Sequence, residues 1–321
     1  MIPIQINNSL AEEHYENIKF NLLNQIVRIL NDEGIQKRSR GGGTSIIEFS
    51  DQLEEDLESF ISDPENNLKP LITINPNLLG QKVEELIIHR PNYLNKWHDD
   101  NLILKNIFVD NGYENKSFNK WNFINNINID TCPYCNRNYI YTTKKNKKIK
   151  PEIDHFYPKS KYPILGLSYF NLIPSCKSCN GFGAKEEYDP RDYELINPYL
   201  LNYNDFVLSH KIKNIAIINP LSGKSDVEVF FKKSIPDHLT LFNLKELYEL
   251  HHDHAIELII KRNLKYSKKY RDYLSSYKDL KFSKSEIDRM ILGNYSLEKE
   301  QHKRPLSKMY QDIGKELGLI K

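Results

Sequence analysis

The four cysteines of this chain fall into two Cys-x-x-Cys pairs, Cys132-Pro133-Tyr134-Cys135 and Cys176-Lys177-Ser178-Cys179, and none is left over. Forty residues, 136 to 175, separate the pairs. Four thiolates in two tight knuckles are what a tetrahedral zinc ion requires, and backbone amides in each knuckle can hydrogen-bond to the sulfurs. Ligation at about 2.3 Å stabilises a segment too small to hold together by apolar burial alone. Any fold of this chain must therefore bring Cys132 beside Cys179. Between the pairs stand Asp154-His155 and Asn171, and Asn180 directly follows the last cysteine. A carboxylate, an imidazole and two carboxamides held by such a clamp read as a hydrolytic metal centre beside a structural one.

Cysteines at metal spacing, with no secretory signal between Met1 and Leu10, argue for a reducing cytoplasm rather than for two disulfides in a secreted protein. No apolar run reaches about 18 residues, so no membrane span is expected. A length of 321 residues suits one large domain or two to three small ones. The formal net charge is only +2, so nucleic-acid binding has to come from a local basic patch.

The expected organisation is α+β, a mostly helical chain around a small central core. Residues 1–125 form a helical N-terminal region, 126–200 the core, and 201–321 a mostly helical C-terminal region. In the first, Tyr15, Ile18, Leu22, Ile26, Ile29 and Leu30 mark one apolar helix face. The run Gly41-Gly42-Gly43 lacks the lysine and spacing of a P-loop, so it reads as a loop, and no ATP site is visible. A second helix is predicted from Ser50 or Asp51 to Asp63-Pro64, and another from Leu79 to Ile88 with a break at Arg90-Pro91. Asn122 to Asp130 reads as a connection. In the third region Val227, Val229 and Phe231 alternate as a strand. Asn243 with Glu246 predicts a capping box opening a long helix through Leu258, and helix continues past Tyr273 and Ile287. His251-His252-Asp253-His254 imitates a metal cluster, but helical geometry turns its members apart. Arg304 to Lys308 reads as a helix start with phosphate or partner contacts.

In the core, Tyr139–Thr143 and Ile149–Phe156 read as two strands joined by Lys144-Lys145-Asn146-Lys147-Lys148. From Arg137 to Lys161 there are eight Lys or Arg residues against two acids, Glu152 and Asp154. Such crowding suits either a solvated hairpin tip or a face turned to a phosphate backbone. Beside a hydrolytic site, phosphate contact is the stronger reading, with Lys144, Lys145, Lys147, Lys148, Lys159, Lys185 and Arg191 as candidates.

The order Cys-x-x-Cys, Asp-His, Asn, Cys-x-x-Cys-Asn resembles the HNH endonucleases, the ββα-metal nucleases with a treble-clef-like core, in their zinc-stabilised branch. The flanks Ile153–Ser160 and Phe170–Pro174 extend the similarity, which covers roughly residues 130 to 190. The resemblance implies that His155 is the general base, that Asp154 and Asn180 at the start of the following helix ligate the catalytic cation, and that Asn171 supports the loop and orients the base. Asn180 stands where a third histidine is the alternative, which favours Mg²⁺ or Mn²⁺ over a tightly held Zn²⁺. The substrate implied is DNA, with RNA open because hydrolysis at phosphorus needs no 2′-hydroxyl.

An HNH core with helical extensions and no ATPase of its own also resembles the nuclease subunits of bacterial anti-phage systems that work beside a separate ATPase subunit. Stand-alone restriction enzymes of the McrA-like type and mobile-element nucleases are alternatives within the enzyme class. Outside it stands a non-catalytic zinc module that binds nucleic acid or a partner protein, though such a module has no need of Asp154-His155 with Asn180. The modest net charge points to help in engaging the target, from a partner or from a second protomer.

Overall fold

The computed structural model of the chain describes residues 1–38, 42, 44–143, 151–181, 184–214, 226–265, 268–276 and 282–320. Helix α1 (Asn8–Asn31) starts where the Asn7 side chain accepts from the Leu10 amide, and one face buries Ala11, His14, Tyr15, Ile18, Leu22, Ile26 and Ile29. That is the apolar stripe the sequence predicts. Strands β1 (Ile35–Arg38) and β2 (Thr44–Ile47) pair antiparallel across the glycine run. The sequence reading missed this hairpin because its strands bury almost nothing, so no alternation marks them. Of the three glycines, Gly42 alone lies among the described residues.

Ser50 caps α2 (Asp51–Ser62), and its own amide and hydroxyl donate to the buried Asp100 carboxylate at 2.9 and 2.8 Å. After α3 (Leu68–Ile72) comes α4 (Pro76–His89), capped by Asn75 and ended before Pro91. Helix α5 (Asp99–Lys105) runs into a wider π-type segment, Asn106–Tyr113. The asparagine-rich stretch is largely helical rather than a bare connection. Asn119 caps α6 (Lys120–Ile127), and Asn128, at φ 55°, ends it. Asparagine favours both of those positions, which is why the stretch looked like a linker.

The core differs from its predicted strand pairing. Strand β3 (Glu152–His155) pairs antiparallel with β4 (Leu172–Ser175), placing Asp154 opposite Ile173 and His155 opposite Leu172. Tyr139–Thr143 is not its partner, and Tyr139 makes a single bridge to Thr131. Lys144, Lys145, Lys147 and Lys148 lie outside the described residues. Helix α7 (Lys177–Asn180) follows β4.

Beyond the core, β5 (Val207–Ile212) and β6 (Val227–Lys233) form another antiparallel pair. Then come α8 (Pro236–Leu241), α9 (Leu244–Glu249), α10 (His252–Ile260), α11 (Lys268–Ser275), α12 (Lys284–Leu292) and α13 (Ser307–Glu316). Asn243 does not form the predicted capping box. It sits at φ 49°, makes no side-chain cap, and donates from Nδ2 to Glu246 at 3.3 Å. The expected long helix is two short ones, broken at Leu250 and His251. A capping box does form at Ser283 and Glu286.

One hydrophobic cluster runs through the described chain, from Met1 to Ile320, and the first cysteine knuckle sits inside it. Tyr134 stacks on Phe242 of the segment after α8, with ring centroids 4.6 Å apart. Tyr248 of α9 donates to the Cys135 carbonyl at 2.7 Å. The Asn136 side chain accepts from the Lys308 amide of α13 at 3.0 Å and donates to the Gln301 carbonyl at 3.0 Å. From the other end of the chain, the Ile2 amide donates to Pro133 at 2.9 Å. Both flanks thus hold the knuckle. Among the described residues no helix is long and apolar enough to cross a membrane.

Candidate metal centre and active site

Cys132, Cys135, Cys176 and Cys179 are all buried, and their sulfurs lie within 4.8 Å of one another. The Cys135 and Cys176 sulfurs are 3.9 Å apart, close to the edge of about 3.8 Å that a tetrahedron with metal–sulfur bonds of about 2.3 Å would have. The Arg137 amide donates to Cys135 Sγ at 3.4 Å and Asn138 Nδ2 donates to Cys176 Sγ at 3.3 Å. Donors of this kind stabilise thiolates, the form in which cysteine ligates a metal. The donor set fits a metal such as zinc.

Strand β3 carries the dyad. Successive side chains on a strand face opposite ways, and Asp154 and His155 do so here. The Tyr134 hydroxyl, from inside the first knuckle, donates to Asp154 Oδ2 at 2.6 Å. Lys185 Nζ stands 3.9 Å from Asp154 Oδ1. Burial raises the Asp154 pKa, against the opposing pull of Lys185 and Tyr134. Lys185 is itself wholly buried and donates to the carbonyls of His155 at 3.2 Å and Tyr188 at 3.0 Å. Its expected role as a surface phosphate contact is therefore corrected: it pins the dyad from beneath.

His155 turns the other way. Its Nε2 lies 3.0 Å from the Gly166 carbonyl, so the Nε2–H tautomer donates there and Nδ1 keeps its lone pair. The Tyr113 ring, ending the π-type segment, meets the imidazole edge-on at 4.5 Å. Burial lowers the His155 pKa to about 3, helped by the Lys159 charge, so the ring is neutral at ordinary pH. Asn171 is fully buried and spans the loop after β3. It accepts from the Tyr157 amide at 2.7 Å and donates to the carbonyls of Tyr157 and Leu165 at 3.1 and 3.0 Å. That loop ends at Gly166, the partner of His155.

Asn180 closes α7 rather than opening it, because Cys176 is already the N-cap of this four-residue helix. Its Nδ2 donates to Glu152 at 2.9 Å, which leaves the carbonyl oxygen for other use. Glu152 lies two residues before Asp154 and so on the same strand face, a signal present in the sequence but not used. Together Glu152, Asp154, His155, Lys159 and Asn180 line a cavity of about 590 Å³ that also takes in Tyr113, Glu114, Lys120, Glu186 and Glu187. Lys185 and Arg191 are not in its lining. Arg191 instead pairs with Glu84 at 3.2 Å and reaches the Tyr162 hydroxyl at 3.4 Å.

His251, Asp253 and His254 come closer than helical geometry suggested, with ligand atoms within 4.8 Å. They still make a poor metal site. Arg137 Nε donates to His251 Nε2 at 3.0 Å, so a neutral ring carries its proton on Nδ1 and offers no lone pair. At the expected helix start, where α13 opens at Ser307, Lys308 is buried and paired with Asp312, which removes it from phosphate contact.

The chain is 30% identical over 145 residues to the Septu protein PtuB of Bacillus thuringiensis, a match covering 44% of this chain and 52% of that protein. It therefore spans about half the length of the curated relative it matches. No family model and no solved structure matches the chain.

Proposed function

We propose that this chain is a metal-dependent HNH endonuclease that hydrolyses phosphodiester bonds of DNA in anti-phage defence. The observation that carries the reading is the single cavity on which His155, Asp154 and Asn180 converge, beside four clustered thiols. In this reading β3, β4 and α7 are the ββα-metal core, and Cys132, Cys135, Cys176 and Cys179 hold a structural zinc. Asp154 and the carbonyl oxygen of Asn180 would hold Mg²⁺ or Mn²⁺, an oxygen-rich donor set suited to those ions. Such an ion supplies a Lewis acid for charge developing on the phosphate. His155 Nδ1 takes the proton of the water that attacks phosphorus. Its Nε2–H stays on Gly166, so the ring does not turn as it charges. A nearby phosphate anion raises the basicity of the buried ring at the moment it is needed.

The defence role draws on the resemblance to anti-phage nuclease subunits and on the similarity to Septu protein PtuB. The same resemblance implies a separate ATPase subunit as partner. The test is plasmid cleavage with Mg²⁺ or Mn²⁺, alone and with any ATPase found encoded in a neighbouring reading frame, comparing the parent with His155→Ala at equal zinc content. Nicking or linearisation lost in the variant is the expected result. Equal cleavage by both proteins would remove His155 as the base. Binding without cleavage of DNA or RNA under every condition would leave a zinc-stabilised binding module.

A further inference from the structure

We propose that Lys120 and Lys159 clamp one backbone phosphate of the substrate beside His155, and that Glu114 occupies the phosphate's place until substrate arrives. The inference rests on the nuclease reading and adds to it a role for the helical N-terminal region. Glu114 follows the π-type segment, Lys120 opens α6, and Lys159 lies in the loop after β3. One Glu114 oxygen accepts from Lys120 Nζ at 2.6 Å and the other from Lys159 Nζ at 2.9 Å. Two oxygens of one anion shared between two ammoniums is the arrangement a phosphate would make in the same place.

Ordinary surface ion pairs are common and contribute little, but this trio differs in where it stands and in what orders it. Both ammoniums lie over the Tyr113 ring, at 3.8 Å for Lys120 and 4.4 Å for Lys159. That same ring meets His155 at 4.5 Å. Two like charges are thereby gathered beside the candidate base, where both disfavour its protonated form. The same cavity is lined by Glu152, Asp154 and Asn180, so a cation and a phosphate would share it with His155.

Exposure separates the roles within the trio. Lys120 and Lys159 side chains are 23% and 36% exposed, whereas Glu114 is 48% exposed. The lysines are held by the ring and the carboxylate is the member able to swing into solvent. A phosphate entering from outside would displace it and inherit both ammoniums.

Salt dependence of binding tests the clamp. A short fluorescein-labelled DNA duplex is titrated, by anisotropy over a KCl series, with the 321-residue chain carrying His155→Ala to prevent cleavage. Against that parent, the double variant Lys120→Met/Lys159→Met is expected to reduce the magnitude of the slope of log K against log [KCl] by about 0.9, the value for one fewer phosphate neutralised. Glu114→Gln is expected to tighten binding by about fourfold at low salt, the factor for one like charge removed at about 5 Å in water. An unchanged slope in the double lysine variant, with zinc content and melting temperature preserved, would overturn the clamp. Weaker binding by Glu114→Gln would overturn its part as the phosphate's stand-in. Either result could coexist with plasmid cleavage by the protein that retains His155, which separates this failure from failure of the nuclease reading. A parent that neither binds the duplex nor, with His155 restored, cuts DNA would overturn both.

Discussion

Replacing Tyr134 by Phe removes a single oxygen atom, and the structure fixes what that oxygen does. The hydroxyl donates to Asp154 Oδ2 at 2.6 Å, and the two residues are 1% and 2% exposed. The ring itself stays stacked on Phe242 and the knuckle backbone is untouched. Hydrogen bonds to charged acceptors contribute about 1.5–3 kcal/mol net, and a buried acceptor left without its donor is costly to keep. Lys185, at 3.9 Å from the other oxygen, is too far to take the vacated place. The expected destabilisation is about 2 kcal/mol. Because the loss comes from stranding the carboxylate, it should largely vanish when the carboxylate is absent. In a cycle with Asp154→Ala, the interaction term is therefore expected to be about 2 kcal/mol. Guanidinium unfolding followed by circular dichroism, with zinc content verified equal across the four proteins, measures it. An interaction below about 0.5 kcal/mol, the range of independent sites, would refute the claim that the knuckle braces the dyad through this bond.

Zinc removal should be more drastic. Structural zinc contributes about 10–16 kcal/mol in small zinc modules, comparable with or above the whole stability of a typical domain, so Cys132→Ser or Cys176→Ser is expected to lose the metal and with it cooperative unfolding. Metal analysis and calorimetry check this, and a metal-free variant with the parent's transition would contradict it. Stability should also fall with acid through two buried histidines. Burial lowers the pKa of His14, boxed by Phe118, Phe123 and Tyr169, to about 4, and that of His238 to about 3. Both are depressed below the unfolded value, so their contribution is whole above about pH 6.5 and drains away as pH falls toward pH 4, where only the unfolded chain takes up protons. Between pH 6.5 and pH 5 the loss is about 3 kcal/mol for the pair. Unfolding free energies of the His14→Gln/His238→Gln protein should show a slope shallower than the parent's by that amount, and equal slopes would exclude these residues as the cause.

What the sequence made legible follows from what each signal depends on. The cysteine cluster needed only spacing, because a metal's coordination number and geometry impose the rest. The stripe of α1 and the Ser50 cap of α2 depend on local periodicity and local hydrogen bonds, and both appear where expected. The partner of β3 was misassigned because pairing is decided by which strands meet in space, and the lysine run between two apolar stretches imitated a hairpin. Asn243 failed as a cap because its backbone lies in the left-handed region, which residue identity does not reveal. In the site, His155, Asp154, Asn171 and Asn180 were nameable from their order. Tyr134, Tyr113, Glu114 and Lys120 were not, since each comes from another part of the chain: Tyr134 stands 20 residues from Asp154, to which it donates, and Glu114 45 residues from Lys159, from which it accepts. Lys185 was misread for a related reason: lysine is usually a surface residue, and nothing local announces a buried one.

The clasp on Asn136 has a bearing on when the molecule can become complete. Its side-chain partners are Thr131, Gln301 and Lys308, the last 172 positions along the chain, and its carbonyl accepts from Leu306. Contacts of such long range close late in folding, after the local helices have formed. On the ribosome, the cysteine pairs and the dyad emerge well before α13 does. Until that helix arrives, the turn beneath Cys135 lacks its last hydrogen bonds and the knuckle its final support. Assembly order alone would thus keep an unfinished chain from presenting a finished candidate site to the molecules around it.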